Sequence, residues 1–189
     1  DPGPDRGPPA RPRPPQPAAP VLARAPGPAV TTVTEALRAR IRDVPDYPQP
    51  GVLFKDITPL LGDPALFTAV TAGMSAPYRA DGVSHVVAVE SRGFILGAPI
   101  AQHLGAAFVP VRKPGKLPHR TMRQDYALEY GSDAVEMHAD ALGGDARVLI
   151  VDDVLATGGT AAATAALTRL AGGHVLGFSF LIVLAFLGG

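Results

Sequence analysis

The stretch V-L-I-V-D-D-V-L-A-T-G-G-T, residues 148–160, constrains this chain more than any other. An apolar, β-branched run ends in two adjacent carboxylates, and a glycine-containing loop then leads into residues 161–171, whose alanines favour helix. The pattern predicts a strand, a tight loop and a helix. Gly158 and Gly159 permit backbone conformations and a close approach that let successive amides point at a phosphate. The helix behind them adds the positive end of its dipole. Ala156, Thr157 and Thr160 flank this nest, and the two threonines can donate hydroxyl hydrogen bonds. Asp152 and Asp153 fall at the carboxyl end of a strand, where open α/β sheets place their ligands. Such a pair calls for hydroxyl donors or a cation: the vicinal hydroxyls of a ribose would serve, and so would magnesium, directly or through water. No Gly-Lys-Ser/Thr follows the glycines and they do not form G-x-G-x-x-G, so this is neither a Walker loop nor a dinucleotide fingerprint.

Strand followed by helix recurs along the chain. Residues 85–90 are a short β-branched run, 94–104 read as a helix and 107–111 as a buried strand. Upstream, Thr32 and Glu35 have capping-box spacing, and Val33, Ala36, Leu37 and Ile41 share one helical face. Pro45, Pro48 and Pro50 are expected to stop that helix, and another is expected over about 64–76. Residues 175–187 are almost wholly apolar, yet too few to span a bilayer. With Gly172 and Gly173 closing the preceding helix, they read as a fully buried parallel strand. The alternation predicts an α/β fold: a central, mostly parallel sheet flanked by helices. The polar run 114–137 is longer than an ordinary connection, as lids are.

With 189 residues, 47% of them hydrophobic, the chain can build one real core. Residues 1–30 hold 11 of the 21 prolines and no apolar period, so a disordered tail is expected over 1–31, ahead of a domain over 32–189. The tail has neither the apolar run of a secretory signal nor room for an amphipathic targeting helix. The 17 basic and 17 acidic residues cancel, leaving no broad positive field for nucleic acid, and no membrane partner is expected either. The absence of cysteine fits a reducing compartment, with cytoplasm as the default. Only three lysines occur, Lys55, Lys113 and Lys116, and all three fall within the motifs below.

The 148–160 pattern resembles the phosphoribosyl pyrophosphate signature of type I phosphoribosyltransferases. P-G-V-L-F-K-D-I-T-P-L-L (50–61), V-E-S-R-G-F (89–94), V-P-V-R-K-P-G-K-L-P (109–118) and Y-A-L-E-Y-G (126–131) narrow the resemblance to the adenine phosphoribosyltransferase family. In order, these motifs reach from Thr32 to about Val183. The resemblance implies the type I phosphoribosyltransferase fold, with a small hood (about 32–62), a core (about 63–189) and a flexible flap (about 112–137) ending in a short strand. It implies transfer of the 5-phosphoribosyl group from phosphoribosyl pyrophosphate to adenine, giving AMP and pyrophosphate, with Mg2+ as cofactor, in a homodimer.

By the same resemblance Phe54 stacks on the purine, while main-chain groups of Leu53 and Lys55 read its edge. Amides around Ser91 and Arg92 hold pyrophosphate, with Arg92 also near the base, and Arg112, Lys113 and Lys116 supply positive charge. Glu129 meets the imidazole nitrogens of adenine and takes or shares their proton, and Tyr130 helps close the flap. Asp152, Asp153, Ala156, Thr157, Gly158, Gly159 and Thr160 hold ribose 5-phosphate, the aspartates serving magnesium through substrate and water. Glu129, Tyr130 and Arg92 are thus the expected catalytic set.

Two other readings use the same signature. A 6-oxopurine (xanthine-type) phosphoribosyltransferase would need a pocket that reads an oxo group, and here the hood motif resembles the adenine enzymes. A non-catalytic regulator that senses phosphoribosyl pyrophosphate would need a DNA-binding appendage or a basic face, and the proline-rich tail offers neither. Toward the end the pattern departs: Val183 stands where the family usually has glutamate, and the family continues beyond Gly189. The C-terminus therefore reads as truncated, with an apolar end expected to favour association.

Overall fold

The computed structural model describes residues 33–127 and 132–189. The expected tail and the expected roles of Glu129 and Tyr130 lie outside them. In chain order, α1 (Val33–Arg40) leads into β1 (Arg42–Val44), β2 (Phe54–Asp56), the single turn α2 (Thr58–Leu61) and α3 (Pro64–Ser75). Then come β3 (His85–Val89), α4 (Arg92–Leu104), β4 (Ala107–Val111), β5 (Thr121–Ala127), β6 (Ser132–His138), β7 (Arg147–Leu155), α5 (Gly159–Leu170) and β8 (His174–Val183). Four strands form a parallel sheet in the order β4-β3-β7-β8. The pairs β1-β2 and β5-β6 are separate antiparallel ribbons.

Period-two alternation in the central strands divides the core into two layers. Val87, Val148 and Ile150 face one way, joining Ala163 and Leu167 of α5 and Val135 and Met137 of β6. Val86, Ala88, Leu149 and Val151 face the other way, onto Leu66 and Val70 of α3 and Leu96 and Ile100 of α4. Asp63 starts α3 by accepting from the Leu66 amide at 3.1 Å, an N-cap with proline at the first helical position. These layers hold the carboxyl ends of β3 and β7 side by side, and the site is built there.

Three expectations need correction. The first helix is not stopped by the prolines: it ends at Arg40, and residues 42–44 pair with 54–56 ahead of Pro45. Pairing with a strand ten residues downstream leaves no local signature. Residues 175–187 are not a fully buried strand. β8 ends at Val183 on the edge of the sheet, only Ser179 within it is buried, and Phe178 and Val183 are exposed. Apolar content could not distinguish a central strand from an edge one. The expected flap, finally, ends in a strand, but not in one alone. Residues 121–127 and 132–138 pair as two seven-residue strands, and Ala134, Val135, Glu136 and Met137 are buried. Charges at Asp133 and Glu136 hid that core strand within a polar run. Among the described residues no helix is long and apolar enough to cross a membrane.

Candidate active site

The loop after β7 is shaped as a cradle. Gly158 stands at φ +87°, a left-handed conformation that favours glycine, and is the N-cap residue of α5. Asp152, residues 154–161 and Phe180 line the resulting hollow. The amides of the first turn of α5 have no partner within the helix, as an anion site needs, and Gly189 packs against residues 156–158 beside them. Thr157 is exposed, whereas the Thr160 hydroxyl donates to the Tyr126 hydroxyl at 3.1 Å.

Asp152 and Asp153 sit at the mouth of this cradle with too little positive charge for both. Burial, and then the neighbouring Asp153 charge, push the Asp152 carboxyl up to about 7. Burial raises Asp153 as well, against the pull of Arg92. Arg92 Nε lies 2.8 Å from Asp153 Oδ2, yet that oxygen accepts no hydrogen bond, so the contact is an off-axis ion pair. Gly93 brings α4 close enough for this: a Cβ there would come within 2.9 Å of Asp152 Oδ1 and 3.1 Å of the Val151 carbonyl.

Arg92 also reaches the hood. Its guanidinium carbon lies 4.7 Å from the Phe54 ring centroid, and its Nη1 donates to the Lys55 carbonyl at 3.1 Å. Tyr47 meets the Phe54 ring edge-on, with centroids 5.1 Å apart. The Lys55 ammonium is turned away onto Asp43 at 2.6 Å, and Leu53 is exposed. One arginine thus ties the expected base-stacking ring to the expected ribose carboxylates, and it occupies one face of Phe54.

At the end of β3 the charge balance reverses. Glu90 accepts from Arg112 Nε and from Lys116 Nζ, each at 2.7 Å, and its side chain is 7% exposed. Burial pushes this carboxyl upward, but donation from Lys116 and Arg112 outweighs it and holds the group below the ordinary glutamate range. The Glu90–Ser91 peptide is cis, and Ser91 is the exposed N-cap residue of α4. Arg112 pairs its backbone with Glu136, whose carboxylate accepts from the Gly115 amide at 3.1 Å, fixing the path of residues 112–116. Lys113 turns to the hairpin, where it contacts Asp133 and donates to the Tyr126 hydroxyl at 3.1 Å.

An anion cradle, an acidic pair beside it and a cluster of cations one strand over suit a substrate with a sugar between two phosphate groups. Comparison with known proteins decides the family. The phosphoribosyl transferase domain profile matches residues 61–182. Adenine phosphoribosyltransferase of Myxococcus xanthus (strain DK1622) is 62% identical over 159 residues, covering 84% of this chain and 86% of its own length. The chain belongs to the adenine phosphoribosyltransferase family. The crystal structure of the Rhodothermus marinus family member superposes with a TM-score of 0.81 at 54% identity, covering 83% of this chain and 89% of its own. The Saccharomyces cerevisiae member, solved in complex with an imino-altritol bisphosphate and adenine, gives 0.78 at 36%, covering 83% and 92%. The fold is therefore the type I phosphoribosyltransferase fold.

Against this family frame, the structure brings Phe54, Lys55, Arg92, Asp152 and Asp153 into one connected set, and Arg112, Lys116 and Glu90 into another. Lys113 stands apart from its two basic neighbours, engaged by the hairpin. Sequence reasoning gave no role to Glu90, Asp133 or Tyr126. Glu90 carried a usable signal, a carboxylate at a strand end one residue before Ser91. Asp133 and Tyr126 did not, because they meet only through the β5-β6 register.

Proposed function

We propose that this chain joins adenine to the 5-phosphoribosyl group of phosphoribosyl pyrophosphate, releasing pyrophosphate and forming AMP. Sequence identity as high as 62% to relatives named for adenine supports the base, and no observation favours a 6-oxopurine or a regulatory role. The arrangement that supports the chemistry is the pair of opposite charge balances at adjacent strand ends. The cradle of Ala156, Thr157, Gly158, Gly159 and Thr160 would bind the 5-phosphate, while Asp152 and Asp153 would accept from the ribose hydroxyls. Ser91, the Arg92 amide, Arg112, Lys113 and Lys116 would gather the charge of the departing pyrophosphate, a preorganised electrostatic site.

Adenine would stack on Phe54, either on the face away from Arg92 or after Arg92 yields its place, with main-chain groups of Leu53 and Lys55 at its edge. Glu129 would take the imidazole proton as nitrogen 9 attacks the anomeric carbon, and Tyr130 would help close the flap over the sugar. Asp152 and Asp153 also fit Mg2+: they are adjacent, half-buried and buried respectively, short of positive charge, and one Asp153 oxygen has no hydrogen bond. Among the described residues no cluster of three or more ligating side chains exists, so the ion would be held largely by substrate and water. Magnesium would contribute charge neutralisation at the pyrophosphate oxygens.

The domain over 32–189 would act without the tail, as a homodimer in the cytoplasm. Incubation with phosphoribosyl pyrophosphate, Mg2+ and equal adenine, hypoxanthine, guanine and xanthine tests the proposal. AMP should dominate, and a predominance of any 6-oxopurine nucleotide would overturn it.

A further inference from the structure

Tyr126 has no role in the readings above, yet its hydroxyl is a junction. Thr160 Oγ1, Lys113 Nζ and Asp133 Oδ2 each lie 3.1 Å from it. The directions follow from chemistry: ammonium only donates and carboxylate only accepts. The phenol proton therefore goes to Asp133, and Thr160 must donate its own to the phenol. One proton and two lone pairs are all a phenol offers, so the junction is saturated. Lys113 also contacts Asp133 directly and lies 5.5 Å from the Tyr126 ring centroid. Tyr126 packs on the core beside α5, which confines the ring.

We propose that Tyr126 is a positioning residue that couples the phosphate cradle to Lys113. The inference rests on the phosphoribosyl pyrophosphate reading, in which Thr160 serves one end of the substrate and Lys113 the other. A phosphate dianion only accepts, so its arrival requires Thr160 to turn its proton from Tyr126 to a phosphate oxygen. A Thr160 lone pair then receives the Tyr126 proton, which swings away from Asp133. The chain Thr160 to Tyr126 to Asp133 reverses into Tyr126 to Thr160 to phosphate, and no proton changes owner. Asp133 Oδ2, having lost one donor, grips Lys113 alone, while Oδ1 keeps the Ala134 amide. The ammonium is thereby fixed between Asp133 and the phenol, with its third N–H free for pyrophosphate.

The test is a binding cycle with Mg2+ present throughout, measuring pyrophosphate affinity by calorimetry with and without saturating ribose 5-phosphate. Repulsion between the two ligands is common to all variants and cancels in the ratio. Coupling should be at least about fivefold more favourable in the parent than in Tyr126→Phe, the lower end of ordinary coupling. Pyrophosphate affinity alone should change less than coupling does. Asp133→Asn keeps both hydroxyls but weakens the end of the chain, and should lose coupling likewise, which preserves the test if Tyr126→Phe fails to fold. Equal coupling in parent and variants overturns the inference while leaving the assigned reaction standing. A parent that binds neither ligand overturns the reaction and this inference together.

Discussion

Two neighbouring strands of one sheet end in opposite electrostatic designs. β3 runs into one buried carboxylate, Glu90, held by two cations, Arg112 and Lys116. β7 carries two carboxylates, Asp152 and Asp153, that among the described residues share one cation, Arg92. Each position has a surplus, positive at the first and negative at the second. The shifts run accordingly, Glu90 below its ordinary range and Asp152 up to about 7. A folded chain with no such ligand would gain by cancelling both surpluses internally. That it keeps them apart supports a ligand whose pyrophosphate meets the first while its ribose hydroxyls and metal meet the second.

The largest expected effect lies at neither strand end, and it marks the limit of the comparison. Glu129→Gln should lower single-turnover AMP formation by roughly 10²- to 10⁴-fold, the range of general acid and base groups, with phosphoribosyl pyrophosphate affinity nearly unchanged. Parent-like turnover would pass the proton to another group.

Asp152→Asn tests the negative surplus, and should weaken phosphoribosyl pyrophosphate binding about 10- to 100-fold through lost charge-assisted hydrogen bonds. The same change should stabilise the ligand-free protein. The Asp152 carboxyl lies at about 7 in the folded chain and near 3.8 in the unfolded one, so the fold holds the extra proton between these values. Stability therefore falls as pH rises through that window. The variant should melt higher than the parent at pH 8, roughly 2–4 °C for each kcal/mol recovered, and the gain should vanish near pH 4. An unchanged melting point at pH 8 would mean that the pair carries no such cost.

Glu90→Gln tests the positive surplus more gently. Arg112 and Lys116 lose the carboxylate that orients them, and pyrophosphate affinity should drop about tenfold, equivalent to about 1.4 kcal/mol, with adenine affinity unaffected. Tighter pyrophosphate binding would instead mark Glu90 as a competitor for its cations. Smallest of all, deletion of residues 1–30 should leave turnover within about twofold, because that segment has neither an apolar period nor a ligand motif. A large loss would join the tail to the working fold.

The two designs were unequally legible. The strand, acidic pair and glycine loop of 148–160 are contiguous, so periodicity and local chemistry sufficed to place the strand and Gly158, although β7 runs on past Asp152 and Asp153 to Leu155 along β8. The β4 strand over 107–111 was equally plain, since its apolar run is bounded by turn residues. The clamp of Glu90 on Arg112 and Lys116 spans more than twenty residues and depends on β3 and β4 being neighbours, which no local pattern encodes. Of the β5-β6 pair only a short closing strand was expected, because the buried strand carries Asp133 and Glu136, both engaged by groups distant in sequence. β8 was misplaced because apolar content says nothing about which strand is left at the edge.

The bare α-carbon of Gly93 has one more consequence. Every heritable substitution there adds at least a Cβ, and that atom would press on Asp152 and on the β7 backbone at once. Alleles at this position are therefore screened by Asp152 and the β7 backbone, although the residue belongs to the first turn of α4, beside the strand end proposed to serve pyrophosphate. Any side chain at position 93 would have to displace Asp152 or the β7 backbone before it could fit.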